Sequence, residues 1–471
     1  MQLNQLKKIY FIGIGGIGMS AIARYFNAKG VEIHGYDRTK TTLCQKLEEE
    51  GIKIHYTDDV SSIPDDVNLV IYTPAIKNLA ELTHFKEKNI PIMKRAEVLG
   101  LISREMKCIA VAGTHGKTTT SSIVTHLLIM GGVDVTAFLG GISMSIGSNF
   151  VQGKSEWVVV EADEYDRSFL QLSPNIAIIL SVDPDHLDIY GNKKTFREAF
   201  GLFQRKIKPQ GICFIKKGVK VLMPKDAFTK KASDKIQNTS AFIQNTFGVN
   251  KGQYKATKLR VENGQFVFDY KSPTHEILNI HTTLPGQHNV ENATAAIAVA
   301  LEVGVSPENI KIALATFKGI KRRFEIIYQN TEKQITYIDD YAHHPTELNA
   351  AIAAARMLYP KRRLIGVFQP HLFSRTRDFQ QGFADALDKL DDVLLMDIYP
   401  ARELPIEGVT AEILLENMKN PRKNIAPKAE MMNILRGLLE NSDEKNITIL
   451  TLGAGDIDTF VPQIKMWLEQ R

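Results

Sequence analysis

Residues 113–119 combine glycines, a lysine and hydroxyl side chains in the order that a polyphosphate-binding loop requires. Backbone N–H groups in a glycine-rich turn, together with the start of a following helix, attract an anion. Lys117 adds a mobile positive charge for the outer phosphates, and Thr118 offers a hydroxyl group to Mg²⁺. The predicted loop residues are Gly113, Thr114, His115, Gly116, Lys117, Thr118 and Thr119.

The spacing of this loop differs from the common nucleotide-binding pattern, because Val111 stands where that pattern has its first glycine. An ordinary strand-turn-helix corner is the alternative. The apolar run 108–112 predicts a buried strand before the loop, and the spacing of Ile123, Leu127 and Leu128 predicts a helix after it. A shortened phosphate loop is therefore favoured.

Acidic residues and a histidine follow two further apolar runs, where ligands for Mg²⁺ would be required. Glu161 follows the run 157–160, and His186 lies in the polar segment after the run 176–180. Ends of neighbouring strands beside a phosphate loop are suitable places for carboxylate and imidazole ligands. The alternative is that these acidic residues are only solvated or cap a helix. This alternative is weakest for Glu161, because a carboxylate at the end of a strand needs a cation or a hydrogen-bond donor.

A second glycine-rich turn lies near the N-terminus, between a predicted strand (8–14) and a predicted helix (19–28). A second strand (31–36) follows and ends on an acidic residue that can bind ribose hydroxyls. This pattern favours a nucleotide or nucleotide-sugar diphosphate over a purely structural turn, without identifying the nucleotide. The candidate residues are Gly15, Gly16, Gly18 and Asp37.

Three polar clusters in the last third of the chain each follow a predicted strand (336–339, 364–368 and 447–452). They should meet at one edge of a sheet. The first two clusters contain Tyr341, His343, His371, Arg375 and Arg377. The adjacent histidines at 343 and 344 raise the possibility of zinc, but neighbouring residues face different ways and no third soft ligand is nearby, so zinc is disfavoured.

Asn289 and Asn292 lie three residues apart at the start of a predicted helix and share one face of it. Their amide groups suit an adenine edge, which offers both a donor and an acceptor. A simple helix-capping role is the alternative.

The composition is that of a soluble globular protein. The 471 residues suggest about three domains, and the net charge of +5 is spread along the chain, so no nucleic-acid partner is predicted. Three scattered cysteines favour a reducing compartment, no apolar run approaches the roughly 18 residues of a membrane span, and the N-terminus lacks a signal-peptide cleavage site. We therefore expect a cytoplasmic protein with no membrane partner.

The motifs GIGGIGMS, GTHGKTTT, EADEYDRSFL, DPDHLD, PGQHNVENATAA, RRFE, DDYAHHPTE, FQPHLFSRTRD and LGAGDI occur in this order along the chain. Together they resemble the Mur ligases, the ATP-dependent enzymes that build the peptide of the bacterial cell-wall precursor. The resemblance implies an α/β fold in three domains: a Rossmann-like UDP-sugar domain (1–105), a central P-loop ATPase domain (106–320) and a Rossmann-like domain (321–471) that binds the amino acid and closes over the site.

The resemblance is strongest to the family's alanine-adding branch, which implies ATP and Mg²⁺ as cofactors and UDP-N-acetylmuramate and L-alanine as substrates of a monomer or weak homodimer. It implies that residues 113–119, Asn289, Asn292 and Arg323 bind ATP, that Thr118 and Glu161 hold one magnesium ion and that His186 holds a second. It also implies an alanine and acyl-phosphate pocket at Tyr341, His343, His371, Arg375 and Arg377, with Lys117, His343 and Arg375 in catalysis.

This chain departs from the family pattern at Ser181, where asparagine is frequent, and at Leu372, where a basic residue is frequent. Three other functions remain open. A dehydrogenase would use the N-terminal glycines but leave Lys117 without a role, a nucleotide sensor would bind ATP without an amino acid, and a sister ligase would attach a tripeptide instead of alanine.

Overall fold

The computed structural model of the chain describes residues 3–73, 76, 78–185, 187–224, 242–401, 403–440 and 445–470. These residues form two compact units. The first takes its residues from Met1–Thr257, Tyr270–Leu278 and Glu291–Leu314, and the second from Lys258–Asp269, Asn279–Val290 and Ala315–Arg471.

The first sheet has five parallel strands in the order β3-β2-β1-β4-β5. The order reverses at β1, which places a crevice at the carboxyl ends of β1 and β4. The strands are β1 (Lys8–Ile12), β2 (Glu32–Tyr36), β3 (Lys53–His55), β4 (Leu69–Tyr72) and β5 (Ile92–Lys94), and the helices are α1 (Ile17–Ala28), α2 (Thr42–Glu49), α3 (Ala80–Glu87) and α4 (Arg95–Glu105).

The second sheet has ten strands in the order β15-β14-β13-β12-β11-β10-β6-β9-β7-β8. They are β6 (Lys107–Ala112), β7 (Thr136–Ser143), β8 (Ser148–Val151), β9 (Trp157–Ala162), β10 (Ile176–Ile179), β11 (Ile212–Lys216), β12 (Ile243–Val249), β13 (Tyr254–Glu262), β14 (Gln265–Lys271) and β15 (Glu276–Thr282). The helices that belong to this part of the chain are α5 (Lys117–Met130), α6 (Leu187–Tyr190), α7 (Lys193–Gln204), α8 (Gln287–Val303) and α9 (Pro307–Thr316). Strand β6 pairs in parallel with both β9 and β10, so the carboxyl ends of all three strands meet at one edge.

The third sheet has six strands in the order β16-β17-β21-β18-β19-β20, and only the β16–β17 pair among its described pairings is antiparallel. The strands are β16 (Glu325–Asn330), β17 (Ile335–Asp340), β18 (Arg363–Phe368), β19 (Asp392–Leu395), β20 (Lys423–Ile425) and β21 (Ile447–Leu452). The helices are α10 (Pro345–Leu358), α11 (Phe373–Asp378), α12 (Gln380–Leu387), α13 (Glu412–Asn417), α14 (Met431–Glu440) and α15 (Val461–Gln470).

A large hydrophobic core runs through the first unit, from Phe11 and Phe26 beside the first sheet to Phe169 and Phe200 beside the second, and a smaller core around Tyr10 and Phe85 covers the other face of the first sheet. The second unit has a separate core on each face of its sheet, because neighbouring residues of a strand such as Leu364 and Ile365 point to opposite faces. Each sheet is therefore covered by apolar side chains, which is typical of parallel α/β structure.

A buried polar interlock also joins helix α1 to strand β8. Asn149, which is fully buried, donates to the carbonyl oxygen of Ile17 at 2.5 Å and to Ser20 Oγ at 3.0 Å. Its carbonyl oxygen accepts from Arg24 Nη1 at 2.5 Å, and Arg24 also forms an ion pair with Glu50 at 2.7 Å. The start of α1 is thereby fixed to the sheet that carries the phosphate loop.

Most element predictions agree with the structure, and strand β21 has the predicted bounds. Strand β9 continues to Ala162, so Glu161 lies within the strand and not after it as predicted. Helix α1 begins at Ile17 instead of Met19. The described residues of the segment 203–282 contain five strands, although the sequence there is less periodic. Within the described part of the chain, no helix is long and apolar enough to cross a membrane.

Candidate active site

The turn between β6 and α5 has a backbone conformation that only glycine adopts easily at two positions. Gly113 has φ 141° and Gly116 has φ 83°. A Cβ on Gly113 would lie 2.9 Å from Ser181 N, and a Cβ on Gly116 would lie 2.8 Å from Asn292 Oδ1. The glycines thus permit close packing of the loop against the segment after β10 and the second turn of α8.

The segment after β10 holds this loop in place. Thr114 N donates to the carbonyl oxygen of Ser181 at 3.3 Å, and His115 N donates to Ser181 Oγ at 3.0 Å. Thr114 Oγ1 donates to the carbonyl oxygen of Asp183 at 2.7 Å. The hydroxyl of Ser181 therefore orders the loop backbone. The first-turn N–H groups of α5 have no acceptor within the helix, so this turn is suited to bind phosphate.

Lys117 bends back onto its own loop and onto a buried carboxylate. Its ammonium donates to the carbonyl oxygen of Gly113 at 2.7 Å and lies 2.8 Å from Glu164 Oε2. Burial, opposed by Lys117, raises the pKa of Glu164 to about 7. Burial lowers the pKa of Lys117, but the carboxylates of Glu164, Asp163 and Glu161 outweigh it and raise that pKa overall. Lys117 is therefore a cation held inside the loop by an ion pair.

Glu161 lies where an oxygen-ligated cation would fit. Thr118 Oγ1 donates to Glu161 Oε1 at 3.2 Å, and Gly140 N donates to Glu161 Oε2 at 3.0 Å. A Cβ on Gly140 would overlap the Glu161 carboxylate. Mg²⁺ prefers oxygen ligands and binds one or two carboxylates together with water and substrate phosphates. The hydroxyl of Thr118 and the carboxylate of Glu161 are therefore suitable ligands for it. The predicted second ligand site, His186, lies outside the described residues.

The acidic segment after β9 turns sharply because Asp166 and Arg167 have left-handed backbone angles, with φ 52° and 55°. Tyr190 Oη donates to the carbonyl oxygen of Glu164 at 2.5 Å and anchors this turn. Asp163 and Asp166 face the start of α4, where they form ion pairs with Arg95 at 3.2 Å and with Lys94 at 2.9 Å. The turn therefore directs Glu164 to the phosphate loop and its other carboxylates to α4.

The N-terminal glycine turn is ordered by the acidic residue that follows β2. Gly15 N donates to Asp37 Oδ2 at 2.8 Å, and Thr39 N donates to Asp37 Oδ1 at 3.1 Å. A Cβ on Gly15 would lie 2.8 Å from the same carboxylate oxygen. Asp37 therefore shapes the turn as well as lying at the strand end where a ribose is expected.

A cavity of about 300 Å³ connects the N-terminal glycine turn with the Glu161 strand. Gly16 and Gly18 line it together with Gly140 and Glu161. Arg95 also lines this cavity. Residues of the N-terminal glycine turn and the candidate magnesium ligand Glu161 thus line one space within the first unit.

The two asparagines of α8 have different surroundings. Asn289 Nδ2 donates to the carbonyl oxygen of Pro285, which lies just before α8, at 2.7 Å. Asn292 presents its side-chain oxygen to Gly116 of the phosphate loop. The position of Asn292 suits a nucleotide contact more directly than that of Asn289.

In the second unit, the clusters after β17 and β18 meet at one sheet edge, as predicted for these two of the three clusters. The ring centroids of His343 lie 5.3 Å from Tyr341 and 6.1 Å from His371. Arg375 Nη1 lies 3.3 Å from His371 Nδ1. His344 points elsewhere: its Nδ1 accepts from Thr346 N at 3.2 Å and caps α10. Among the described residues, no group of three or more His, Cys, Asp or Glu is arranged to hold a metal.

The charges in this cluster leave His343 able to accept a proton. Burial, with the nearby Arg375 adding to it, lowers the pKa of His343 below its ordinary value, although Glu347 opposes the shift. The ring is therefore neutral at neutral pH. Arg323 lies over the Tyr341 ring at 5.1 Å. Arg375 is buried, whereas Arg377 is half-exposed and pairs with Asp378 at 2.8 Å.

Leu372, the second departure from the family pattern, is buried and has φ 71° at the start of α11. It contributes no charge to the cluster. Of the two arginines that follow, Arg375 is the one whose guanidinium reaches His371, so it is better placed to bind an anion there.

Sequence reasoning missed three residues of these sites: Arg95, Glu164 and Asp340. Arg95 directly follows β5, so the strand-end rule that found the other residues could have found it. Glu164 lies in the EADEYD segment but gave no separate signal. Asp340 accepts from Phe324 N at 2.7 Å and Ala342 N at 2.8 Å, and burial raises its pKa to about 6.

Three family descriptions match successive parts of the chain. Residues 8–107 match the catalytic domain of the Mur ligase family, residues 111–300 match the Mur ligase middle domain, and residues 322–455 match the glutamate ligase domain of Mur ligases.

Individual proteins match along the whole chain. A Flavobacterium psychrophilum protein named UDP-N-acetylmuramate–L-alanine ligase is 46% identical over 476 residues, covering 100% of both chains. The crystal structure of UDP-N-acetylmuramate-alanine ligase from Thermotoga maritima is similar with a TM-score of 0.79 and 29% identity, covering 98% of this chain and 100% of that one. A murein peptide ligase from Psychrobacter arcticus shares the fold, with a TM-score of 0.66 and 22% identity over 98% of each chain.

Proposed function

The chain belongs to the Mur ligase family, and we propose that it joins L-alanine to the carboxylate of UDP-N-acetylmuramate while ATP is converted to ADP and phosphate. The observation that carries the proposal is the cavity that connects the N-terminal glycine turn with Glu161 beside the phosphate loop. A sugar nucleotide bound at Gly16 and Gly18 could extend its acid through this space toward a triphosphate on Lys117. Full-length similarity to alanine-adding ligases supports the same choice.

We assign the predicted domain ranges to separate tasks. Residues 1–105 bind the UDP-sugar, residues 106–320 bind ATP, and residues 321–471 bind the amino acid and close the site. The three successive family matches support this division, whose boundaries lie near the ends of the matched ranges. Within the first task, Gly15, Gly16 and Gly18 receive the diphosphate and Asp37 the ribose.

The first chemical step activates a carboxylate. An amine cannot displace oxide from a carboxylate, whereas an acyl phosphate has a good leaving group. The chain must align the acid with the γ-phosphate and neutralise the charge that spreads over it. Lys117 and the first turn of α5 supply this, and Asn292 with Arg323 contacts the nucleotide. Thr118 and Glu161 would hold Mg²⁺, which when bound neutralises charge on the outer phosphates.

The second step needs the amine of alanine in its neutral form. We assign His343 as the proton acceptor, because its neutral ring lies against Tyr341 and His371 in the cluster described above. Arg375 stabilises the negative charge that develops as the amine attacks and phosphate leaves. Closure around these groups excludes water, which would otherwise hydrolyse the acyl phosphate.

We further propose that the enzyme works in the cytoplasm as a monomer or weak homodimer. Cys44, Cys108 and Cys213 are all unpaired and buried, which agrees with a reducing compartment. The tripeptide-attaching alternative is less well supported, because the similarity to the Psychrobacter murein peptide ligase extends to the fold alone.

The deciding experiment measures phosphate release with ATP and UDP-N-acetylmuramate while the amino acid or peptide is varied. We expect release to require an acceptor amine and to be fastest with L-alanine. Release that needs only a tripeptide would assign the chain to the sister reaction. Release that is independent of any amine would remove the ligase assignment.

A further inference from the structure

Arg95 has an unusual position at the start of two helices. It is the first residue of α4, and its side chain crosses to the beginning of α1. Nη1 lies 2.7 Å from the place that a Cβ on Gly18 would occupy, so only glycine allows this approach. On its other side, Nη2 donates to Asp163 Oδ2 at 3.2 Å.

A guanidinium at this place is electrostatically unfavourable in the absence of an anion. The N-terminus of a helix carries a partial positive charge, so a cation beside the first turn of α1 is repelled by it. The ion pair with Asp163 offsets this only weakly, because both side chains are partly exposed to solvent. An anion at the start of α1 would satisfy the helix N–H groups and the guanidinium together.

Arg95 is also the cation of the cavity. Among the described residues that line it, Arg95 alone carries a positive charge, whereas Glu161 and Asp163 carry negative charge. A substrate that enters with several negative charges needs at least one cation in this space. The planar fork of arginine suits two phosphate oxygens at once, which a lysine cannot match.

We propose that Arg95 binds the diphosphate of the sugar-nucleotide substrate jointly with the first turn of α1, and that it leaves Asp163 when it does so. This inference rests on the proposed function, and it assigns a residue to the substrate that sequence reasoning did not find. The competing explanation is purely structural, in which the Arg95–Asp163 pair serves only to fasten α4 to the acidic turn.

Lys94 provides a matched control. It forms the neighbouring ion pair between the same two segments, with Asp166 at 2.9 Å, but it does not line the cavity. A Lys94→Ala variant therefore loses an equivalent connection between α4 and the acidic turn without losing a proposed phosphate ligand. A second control, Asp163→Asn, removes the partner of Arg95 and leaves the guanidinium in place.

The test is calorimetric titration of the full-length protein with UDP and with UMP as probes. A hydrogen bond to a charged group contributes to the binding free energy. We therefore expect Arg95→Ala to weaken UDP binding by about 10-fold to 100-fold. UMP binding should change much less, so the preference for UDP over UMP should shrink. Arg95→Lys should be intermediate, Lys94→Ala should match the wild type, and Asp163→Asn should bind UDP at least as tightly as the wild type.

The structural explanation makes the opposite prediction for these variants. Equal weakening of UDP and UMP in Arg95→Ala, or the same loss in Lys94→Ala and Asp163→Asn, would overturn the role of Arg95. If that happened while the wild type still bound UDP and formed product, the proposed function would stand. A wild-type protein that binds neither UDP nor UMP would instead overturn the proposed function itself. Thermal unfolding of each variant checks that the folded state persists.

Discussion

The ammonium group of Lys117 lies 2.8 Å from the carboxylate of Glu164, a side chain that is only 2% exposed. The carbonyl oxygens of Gly113 and Thr114 accept its other hydrogen bonds at 2.7 and 3.3 Å. All three ammonium protons are therefore directed at groups of the chain itself. A triphosphate can recruit Lys117 only by drawing it away from Glu164.

ATP affinity should therefore depend on pH through Glu164. The pKa of Glu164 is about 7 while Lys117 opposes the effect of burial, so loss of Lys117 to a phosphate would raise that pKa further. Glu164 then takes up a proton when ATP binds, and binding weakens as the pH rises from 6 to 8.5. Calorimetry of ATP binding in buffers of different ionisation enthalpy measures this uptake.

The Glu164→Gln variant should lose most of this uptake and bind ATP with a flatter pH profile. ATP titrates in the same range by itself, so the difference between variant and wild type isolates Glu164. Asp166→Asn, in the same acidic turn, should keep the wild-type profile. An unchanged profile in Glu164→Gln would show that the carboxylate stays ionised beside the bound nucleotide.

Lys117→Ala should abolish catalysis while it spares the sugar-nucleotide site. Lys117 supplies charge to the outer phosphates, whereas the N-terminal glycine turn belongs to a different sheet. We expect alanine-dependent ADP release to fall by about 10²-fold or more and UDP binding to remain close to that of the wild type. A coupled assay of ADP release tests the predicted loss of activity, and UDP titration tests the predicted retention of UDP binding. Full activity would remove the phosphate-loop assignment.

Gly140→Ala should increase the magnesium requirement. An added Cβ would overlap the Glu161 carboxylate and displace it from Thr118, which would separate the two proposed ligand groups. The concentration of Mg²⁺ that gives half-maximal activity is the measured quantity. Gly437→Ala, where an added Cβ meets no atom within 4 Å, is the matched control. The same magnesium titration for both variants would argue against a metal at Glu161.

His343→Ala should slow the second step without affecting ATP binding. Loss of a general base costs about 10²-fold to 10⁴-fold in rate. Burial is the main cause that lowers the pKa of His343. In the pH profile of the wild-type rate, the midpoint of the acid limb should therefore lie below the ordinary pKa of histidine, and this limb should be absent in the variant. His344→Ala is the matched control. It removes a helix cap at a stability cost of about 1 kcal/mol and should retain the wild-type rate.

Asn149→Ala should destabilise the first unit. The change removes the acceptor of Nη1 on the buried Arg24 and one donor to the carbonyl of Ile17. Each such loss costs about 1–3 kcal/mol, which urea unfolding can resolve. Asn417→Ala, at the partly exposed C-terminal end of α13, is the comparison variant and should have a smaller effect. Equal destabilisation by the two changes would contradict a special role for Asn149.

Local signals predicted much of this molecule. The apolar runs that flank each glycine turn specify their strand and helix without help from distant residues, which is why β6, α5, β1 and α1 were found. The predicted α/β Mur ligase fold class is confirmed by the family matches and by the Thermotoga structure. The gathering of Tyr341, His343 and His371 followed from one rule about the carboxyl ends of parallel strands.

Other features depend on contacts between residues that are far apart in the sequence, and such contacts produce no periodic pattern of apolar residues. Strands β12, β13 and β15 have weak patterns because the sheet, not the local sequence, determines their conformation. The Lys117–Glu164 pair depends on the left-handed turn at Asp166 and Arg167, and the Arg95 contact depends on the missing side chain of Gly18. The roles assigned to individual site residues, including His186, remain predictions.

Asn149 holds the beginning of α1 against the sheet that carries Glu161. The distance between the proposed diphosphate site and the proposed magnesium site is therefore fixed by the fold. The scaffold therefore selects for the length of the substrate. A sugar nucleotide whose carboxylate lies one bond nearer to the diphosphate, or one bond farther from it, cannot align with the γ-phosphate. Tolerance for altered substrates should therefore be narrow at the sugar end and concentrated at the amine end.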